Sequence, residues 1–190
     1  MSKRSCTHEV LECPVSTLSN QRKTELQKEL LKLETVLEPI TYATEFFQVY
    51  DQLVATKSGF AHNREQILDA WQRGLGRDEP LLYQLRVVET QDLFDNRELC
   101  QDLAEWMGCH PSHLVIPSLL WRDYGNVCIM LWVAPEFQRL GFGTRMVREA
   151  DIERVSKPLP QAASFWQKLQ ISETDWLPPP DWVATLARRK

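Results

Sequence analysis

The sequence predicts an α/β fold, in which amphipathic helices are interspersed with buried strands. Three observations carry that expectation. The run Val127-Cys128-Ile129-Met130-Leu131-Trp132-Val133 is apolar without a break, the length and composition of a strand buried on both faces. Residues 81–89 alternate, with Tyr83, Leu85 and Val87 between Gln84 and Arg86, the period of a half-exposed strand. Several other segments repeat apolar residues at helical steps. Phe46, Val49, Tyr50, Leu53 and Val54 fill positions i, i+3, i+4, i+7 and i+8.

Length and composition bound the reading. The chain has 190 residues, enough for one domain with a full core, and 43% are hydrophobic against 25% charged. The net charge is −4 with a pI near 5.6, so there is no overall basic field and nucleic acid is disfavoured as a partner. Five cysteines are scattered without a C-x-x-C pair. No apolar h-region follows Met1, and no apolar run has the length of a membrane span. The expectation is a cytoplasmic protein with free thiols and no membrane contact.

Taken in order, residues 8–15 read as a short edge strand limited by Pro14. Residues 16–37 read as a helix, since Leu26, Leu30, Leu33 and Leu37 recur at steps of four, three and four, and Pro39 would end it. A second helix spans about 41–56. A third begins at the N-cap candidate Asn63, with Gln66 placed as in a capping box, Ile67, Ala70 and Trp71 facing inward, and stops at Gly74 and Gly76. After strand 81–89, Asp95 and Glu98 mark another helix start, with Leu99, Leu103, Trp106 and Met107 as its stripe and Gly108 as its end. Residues 114–121 are strand-like, with Pro117 indicating an edge or a bulge. The turn-rich residues 122–126 lead into the strand at 127–133 as a hairpin. A helix over about 144–150, a short strand near 152–155, a helix over 162–169 and a proline-rich final strand within 176–182 complete the reading.

The stretch after Val133 has the form of a site. Pro135 stops the ladder, Gly141 and Gly143 flank Phe142, and a helix begins near Thr144. The order strand, glycine turn, helix N-terminus presents backbone N–H groups and the positive end of the helix dipole to an anion. Glycine spacing alone is equally that of an ordinary strand-to-helix turn. The wider wording, Val133-x-Pro135-Glu136-Phe137-Gln138-Arg139-x-Gly141-Phe142-Gly143-Thr144, resembles the acyl-CoA pyrophosphate loop of the GNAT superfamily of N-acetyltransferases. Gln138, Gly141 and Gly143 fall on the three defining positions of its Gln/Arg-x-x-Gly-x-Gly/Ala pattern. Ala162-Ala163-Ser164-Phe165-Trp166-Gln167-Lys168-Leu169-Gln170-Ile171 is similar to that family's later helix, commonly written Ala-x-x-Phe-Tyr-x-x-Leu-Gly-Phe.

The resemblance implies a mixed, mostly antiparallel central sheet with helices on both faces, in a single domain over 1–190. Residues 1–113 would be its helix-rich acceptor-side half, with an insertion at 91–113 where the family uses hairpins, and 114–190 its acyl-CoA-binding half. It implies acetyl-CoA or another acyl-CoA as cofactor. Trp132, Val133 and Ala134 would pair with the pantetheine arm. Gln138, Arg139, Leu140, Gly141, Phe142, Gly143, Thr144 and Arg145 would surround the pyrophosphate, with Phe165 and Trp166 alongside. By the same resemblance Phe46, Phe47 and Tyr50 would face the acceptor or the core. The implied reaction is direct attack of a primary amine, on a small molecule or a protein, at the thioester, and the family suggests a homodimer.

The chain also departs from the family. Residues 127–133 contain no acid where many members carry a Glu. Trp166 stands where a Tyr usually donates a proton to the leaving thiolate, and an indole N–H is a hydrogen-bond donor only. The remaining catalytic candidates are Asp123, Glu136 and Ser164. These departures keep a second reading open, a GNAT-fold module that binds acyl-CoA or a protein without catalysis. Cys128 within the apolar run reads as a core thiol. Cys109-His110-Pro111-Ser112-His113 lacks the second ligand pair a zinc site needs, so no metal is expected.

Overall fold

In the computed structural model, which describes residues 17–56, 64–75, 80–123 and 125–175, six strands form one sheet in the order β1-β2-β3-β4-β5-β6. They are β1 Thr35–Pro39, β2 Leu82–Val87, β3 Val115–Asp123, β4 Val127–Val133, β5 Arg154–Ser156 and β6 Ser172–Thr174. The pairs from β1 to β4 are antiparallel, and β4–β5 and β5–β6 are parallel. Seven helices cover the sheet: α1 Asn20–Leu30, α2 Ala43–Ala55, α3 Arg64–Gly74, α4 Gln91–Asp95, α5 Arg97–Met107, α6 Phe142–Glu149 and α7 Ala163–Lys168. The fold is a mixed, mostly antiparallel α/β sheet with helices on both faces, the class expected. None of the described helices is long and apolar enough to cross a membrane.

Two cores explain why both sheet faces are apolar. Leu26 and Leu30 of α1, Leu93 of α4, Leu103 and Met107 of α5, Met146 and Val147 of α6 and Trp166 of α7 pack on one face. Phe46, Val49 and Leu53 of α2 and Ile67 and Ala70 of α3 pack on the other, against Leu119, Trp121, Met130 and Trp132. Strand β4 sits between them with the bounds the apolar run predicts. The aromatic stripe of α2 divides: Phe46 is a core residue stacked on Trp71 at 4.6 Å, whereas Phe47 is exposed.

The first helix is shorter than its leucine spacing predicts. It is capped by the Ser19 hydroxyl and ends at Leu30, and Leu37 lies on β1 opposite Leu85. Leu33 and Leu37 still pack on the same core, one from a turn and one from a strand, so a helical spacing survives without a helix. Strand β1 is an edge, and its outer side is blunted. Pro39 has no N–H, and the N–H of Leu37 donates to Glu149 Oε2 at 2.8 Å.

Two helices, α4 and α5, lie within residues 91–113. Thr90 and Asn96 cap α4 and α5, one residue beyond the expected Asp95 start, and Gly108 closes α5 in the left-handed region (φ 68). Arg22–Asp102 at 2.6 Å and Thr17–Glu105 at 2.8 Å tie α5 to the α1 region. Strand β2 corrects the alternation reading. Gln84 is 1% exposed, because a bulge between Tyr83 and Leu85 and the helices above it bury both faces. Pro117 lies in that bulge. There the Ser118 hydroxyl accepts from the Leu85 N–H at 3.2 Å and donates to the Ile116 carbonyl at 2.9 Å, replacing ladder bonds the bulge removes. The expected edge strand at 8–15, the Asn63 cap, the Gly76 stop and the strand within 176–182 lie outside the described residues.

Ser118→Ala strands the Leu85 N–H in the core and removes a donor from Ile116. It is expected to destabilise the fold by about 1–3 kcal/mol, read as a lower urea midpoint at unchanged m-value.

Candidate functional site

At the C-terminal end of β4 the chain passes through a 3₁₀ turn, Pro135–Phe137, and enters α6 two residues earlier than expected, at Phe142. Arg139 (φ 64) and Gly141 (φ 88) are both left-handed, which curls the intervening backbone into a concave turn. Among the described residues, no acceptor takes the backbone N–H groups of Arg139 to Thr144, and the first hydrogen bond of the helix runs from Arg145 to Gly141. Those N–H groups and the N-terminal dipole of α6 form a concentrated donor set suited to phosphate oxygens.

The two glycines have different jobs. A Cβ on Gly141 would meet nothing within 4 Å, so Gly141 supplies the positive φ and an open approach. Gly143 lies inside α6 and faces inward, where a Cβ would stand 3.6 Å from Leu131 and 3.7 Å from Phe165. Close approach of a ligand is therefore a property of Gly141. Phe142 is a core residue, Leu140 packs partly into the same core, and Thr144 is half-buried.

Beside the turn, β4 has a free edge. It pairs with β5 only through Val127 and Cys128, and β5 ends at Ser156. The Ala134 N–H donates to the Pro117 carbonyl at 2.9 Å, on the β3 side. Alternation in an antiparallel ladder then turns the backbone groups of Leu131 and Val133 to the other edge, where β5 has left. The Val133 carbonyl is accordingly met by the Gln138 side-chain amide at 2.9 Å. By the same alternation Ala134 and Trp132 turn their backbone groups to β3, and Leu131 and Val133 carry the open edge.

The charged candidates are partly spoken for. Arg145 Nε binds Glu149 at 2.6 Å, turning that guanidinium along α6, whereas Arg139 is exposed at the turn. Phe165 packs edge-on against Trp166 at 4.9 Å, and Trp166 is buried in the core. The three catalytic candidates stand in different surroundings. Asp123 is buried opposite Val127, at the far end of β4, about 20 Å of strand from Val133. Glu136 accepts from Trp106 Nε1 at 2.8 Å and pairs with Lys23 at 2.9 Å, a brace between the 3₁₀ turn and helices α1 and α5. Ser164 is exposed on α7. A cleft of ≈ 740 Å³, lined by residues such as Arg148, Asp151 and Lys168, lies at the C-terminal end of α6 and is not the site just described. Among the described residues no group of three or more His, Cys, Asp or Glu is arranged to hold a metal; His110 Nδ1 instead contacts Ser112 Oγ at 2.7 Å.

No protein-family model matches this sequence, and no curated protein matches it. Among solved structures the chain is similar to the Bacillus subtilis N-acetyltransferase YlbP protein in complex with Coenzyme-A. The two are 14% identical with a TM-score of 0.37, and the match covers 73% of this chain and 83% of that one.

Two of the described thiols are held neutral by burial. Burial pushes Cys128 up to about 12 and Cys109 up to about 11. Both are expected to resist iodoacetamide at pH 8 in the native protein and to react once it is unfolded, as peptide mass spectrometry would show. A thiol kept neutral in the fold stabilises it fully below the ordinary thiol pKa of about 8.5. That contribution is lost as the pH rises towards about 11 and 12.

Proposed function

We propose that this chain binds an acyl-CoA along the free edge of β4 and passes the acyl group to a primary amine. The observation that carries the reading is the juxtaposition of two unfilled donor sets. The N–H groups of Arg139 to Thr144 lie directly beyond the strand end whose Val133 and Leu131 groups face an open edge. A pyrophosphate followed by an amide-bearing arm needs that order of contacts: anion donors first, then strand-like pairing.

The residues fit such a ligand. Gly141 leaves the turn open, and Arg139 offers a charge-assisted hydrogen bond to phosphate. The N–H of Leu131 and Val133 supply strand pairing, and the Val133 N–H, at the end of the edge, is the donor able to polarise a carbonyl lying there. When bound, acyl-CoA supplies an activated thioester. The chain's contribution is to orient it, by fixed backbone dipoles that need no reorganisation.

A second reading has its own observation. With Asp123 at the far end of β4 and Glu136 held by Lys23 and Trp106, the chain also has the features of an acyl-CoA-binding module without turnover. Isothermal titration with acetyl-CoA tests the shared premise, and absence of saturable binding would sink both readings. Gly141→Val removes the left-handed turn and is expected to weaken binding at least about tenfold. Gly143→Ala, which makes only ordinary contacts, is expected to leave it close to wild type. If the chain is a transferase, thiol-release assays over an amine panel will show turnover that survives Glu136→Gln and Ser164→Ala. A panel without turnover, on protein that binds acetyl-CoA, selects the second reading.

A further inference from the structure

Helix α6 carries one ion pair set against its own dipole. Arg145 stands near its start, three residues after Phe142, and Glu149 is its last residue. The positive end of a helix disfavours a cation and the negative end disfavours a carboxylate. An acid C-terminal to its base is likewise the weaker order at i, i+4. The pair forms nonetheless, with Arg145 Nε donating to Glu149 Oε1 at 2.6 Å. Both side chains are part-exposed, at 39% and 31%, so solvent screens the attraction. Helix stability alone therefore accounts for neither charge.

Each residue has a further partner within reach. Glu149 Oε2 accepts the Leu37 N–H at 2.8 Å and so closes the edge of β1. Arg145 lies about 4.5 Å along the helix axis from Phe142. Side chains of an α-helix lean toward its N-terminus, which aims the stem of Arg145 at the donor turn formed by Arg139 to Thr144. Its guanidinium is drawn the opposite way, to Glu149. A phosphate at the turn would offer that guanidinium charge-assisted, bidentate hydrogen bonds. Glu149 itself stands about 10 Å along the axis from Phe142, roughly one Debye length at 0.1 M salt. Its carboxylate thus acts on the turn chiefly through Arg145.

We propose that Glu149 and a phosphate at the turn compete for Arg145, which makes Glu149 a positioning residue for the anion site. The inference rests on the anion-binding role of the turn proposed above. Strand β1 registers the exchange, because a carboxylate that gives up Arg145 becomes the stronger acceptor for the Leu37 N–H. Calorimetric titration of the full chain at low salt, with inorganic pyrophosphate and with acetyl-CoA, tests it. Glu149→Gln keeps an oxygen for Leu37 and releases the guanidinium, and is expected to tighten both probes about two- to threefold. Adding Arg145→Gln to Glu149→Gln is expected to erase that gain. In the wild type the Leu37 amide resonance is expected to shift on addition of pyrophosphate, and in Arg145→Gln to stay in place. Equal affinities in wild type and Glu149→Gln, a gain that persists in the double variant, or a Leu37 resonance that does not move would overturn the competition. Binding of either probe that Glu149→Gln leaves unchanged overturns this inference alone. No saturable binding of either probe, to wild type or variant, overturns the turn's role and this inference together.

Discussion

Strand β4 is hydrogen-bonded along its length to β3 but to β5 only at Val127 and Cys128, and most of the molecule is arranged around that inequality. A strand with one satisfied edge can stay buried on both faces while offering the other edge to a ligand. The cost is a stretch of backbone whose groups lack sheet partners. Gln138 offsets part of it by capping the Val133 carbonyl. The rest is open at the point where the turn into α6 presents its own unpaired N–H groups. The open edge of β4 thus follows from one local event, the departure of β5 after Ser156.

Holding that geometry falls to the braces around it. Glu136 pins the 3₁₀ turn to Lys23 and Trp106, and Phe137 packs on Trp106 with ring centroids 4.5 Å apart. Helix α6 is fixed to the far edge of the sheet through Glu149, which binds Arg145 and caps the Leu37 N–H. The α4–α5 pair fits this scheme, since α5 supplies Trp106 and the acids that hold the α1 region. Glu136 and Arg145, which read as candidate chemistry in the sequence, are each engaged in an ion pair.

Much of this was legible in the sequence because it is local. The unbroken apolar run at 127–133, the glycine turn and the Gly108 stop rest on side-chain volume, φ preference and neighbouring hydrogen bonds. The misreadings share a cause, since each concerned a residue whose role is set by a distant partner. Leu33 and Leu37 kept a helical spacing because a turn and a strand both deliver leucine to one core. Gln84 looked solvated because alternation says nothing of α2 and α3 above it. The ion pairs that link Glu38, Arg86, His113 and Glu45 have no signal in any window, as their members come from two strands, a helix and a loop.

By itself, then, the sequence determined the class of fold, the position of the central strand and the turn that follows it, since backbone sterics and hydrophobic burial act over a few residues. The tertiary structure alone decided which backbone groups are left unpaired and which charges are already taken. It separated Leu131 and Val133 from Ala134, Gly141 from Gly143, and Arg139 from Arg145. The physical reason is that a hydrogen bond is filled or free only relative to its partner, and here the partners lie strands and helices away along the chain.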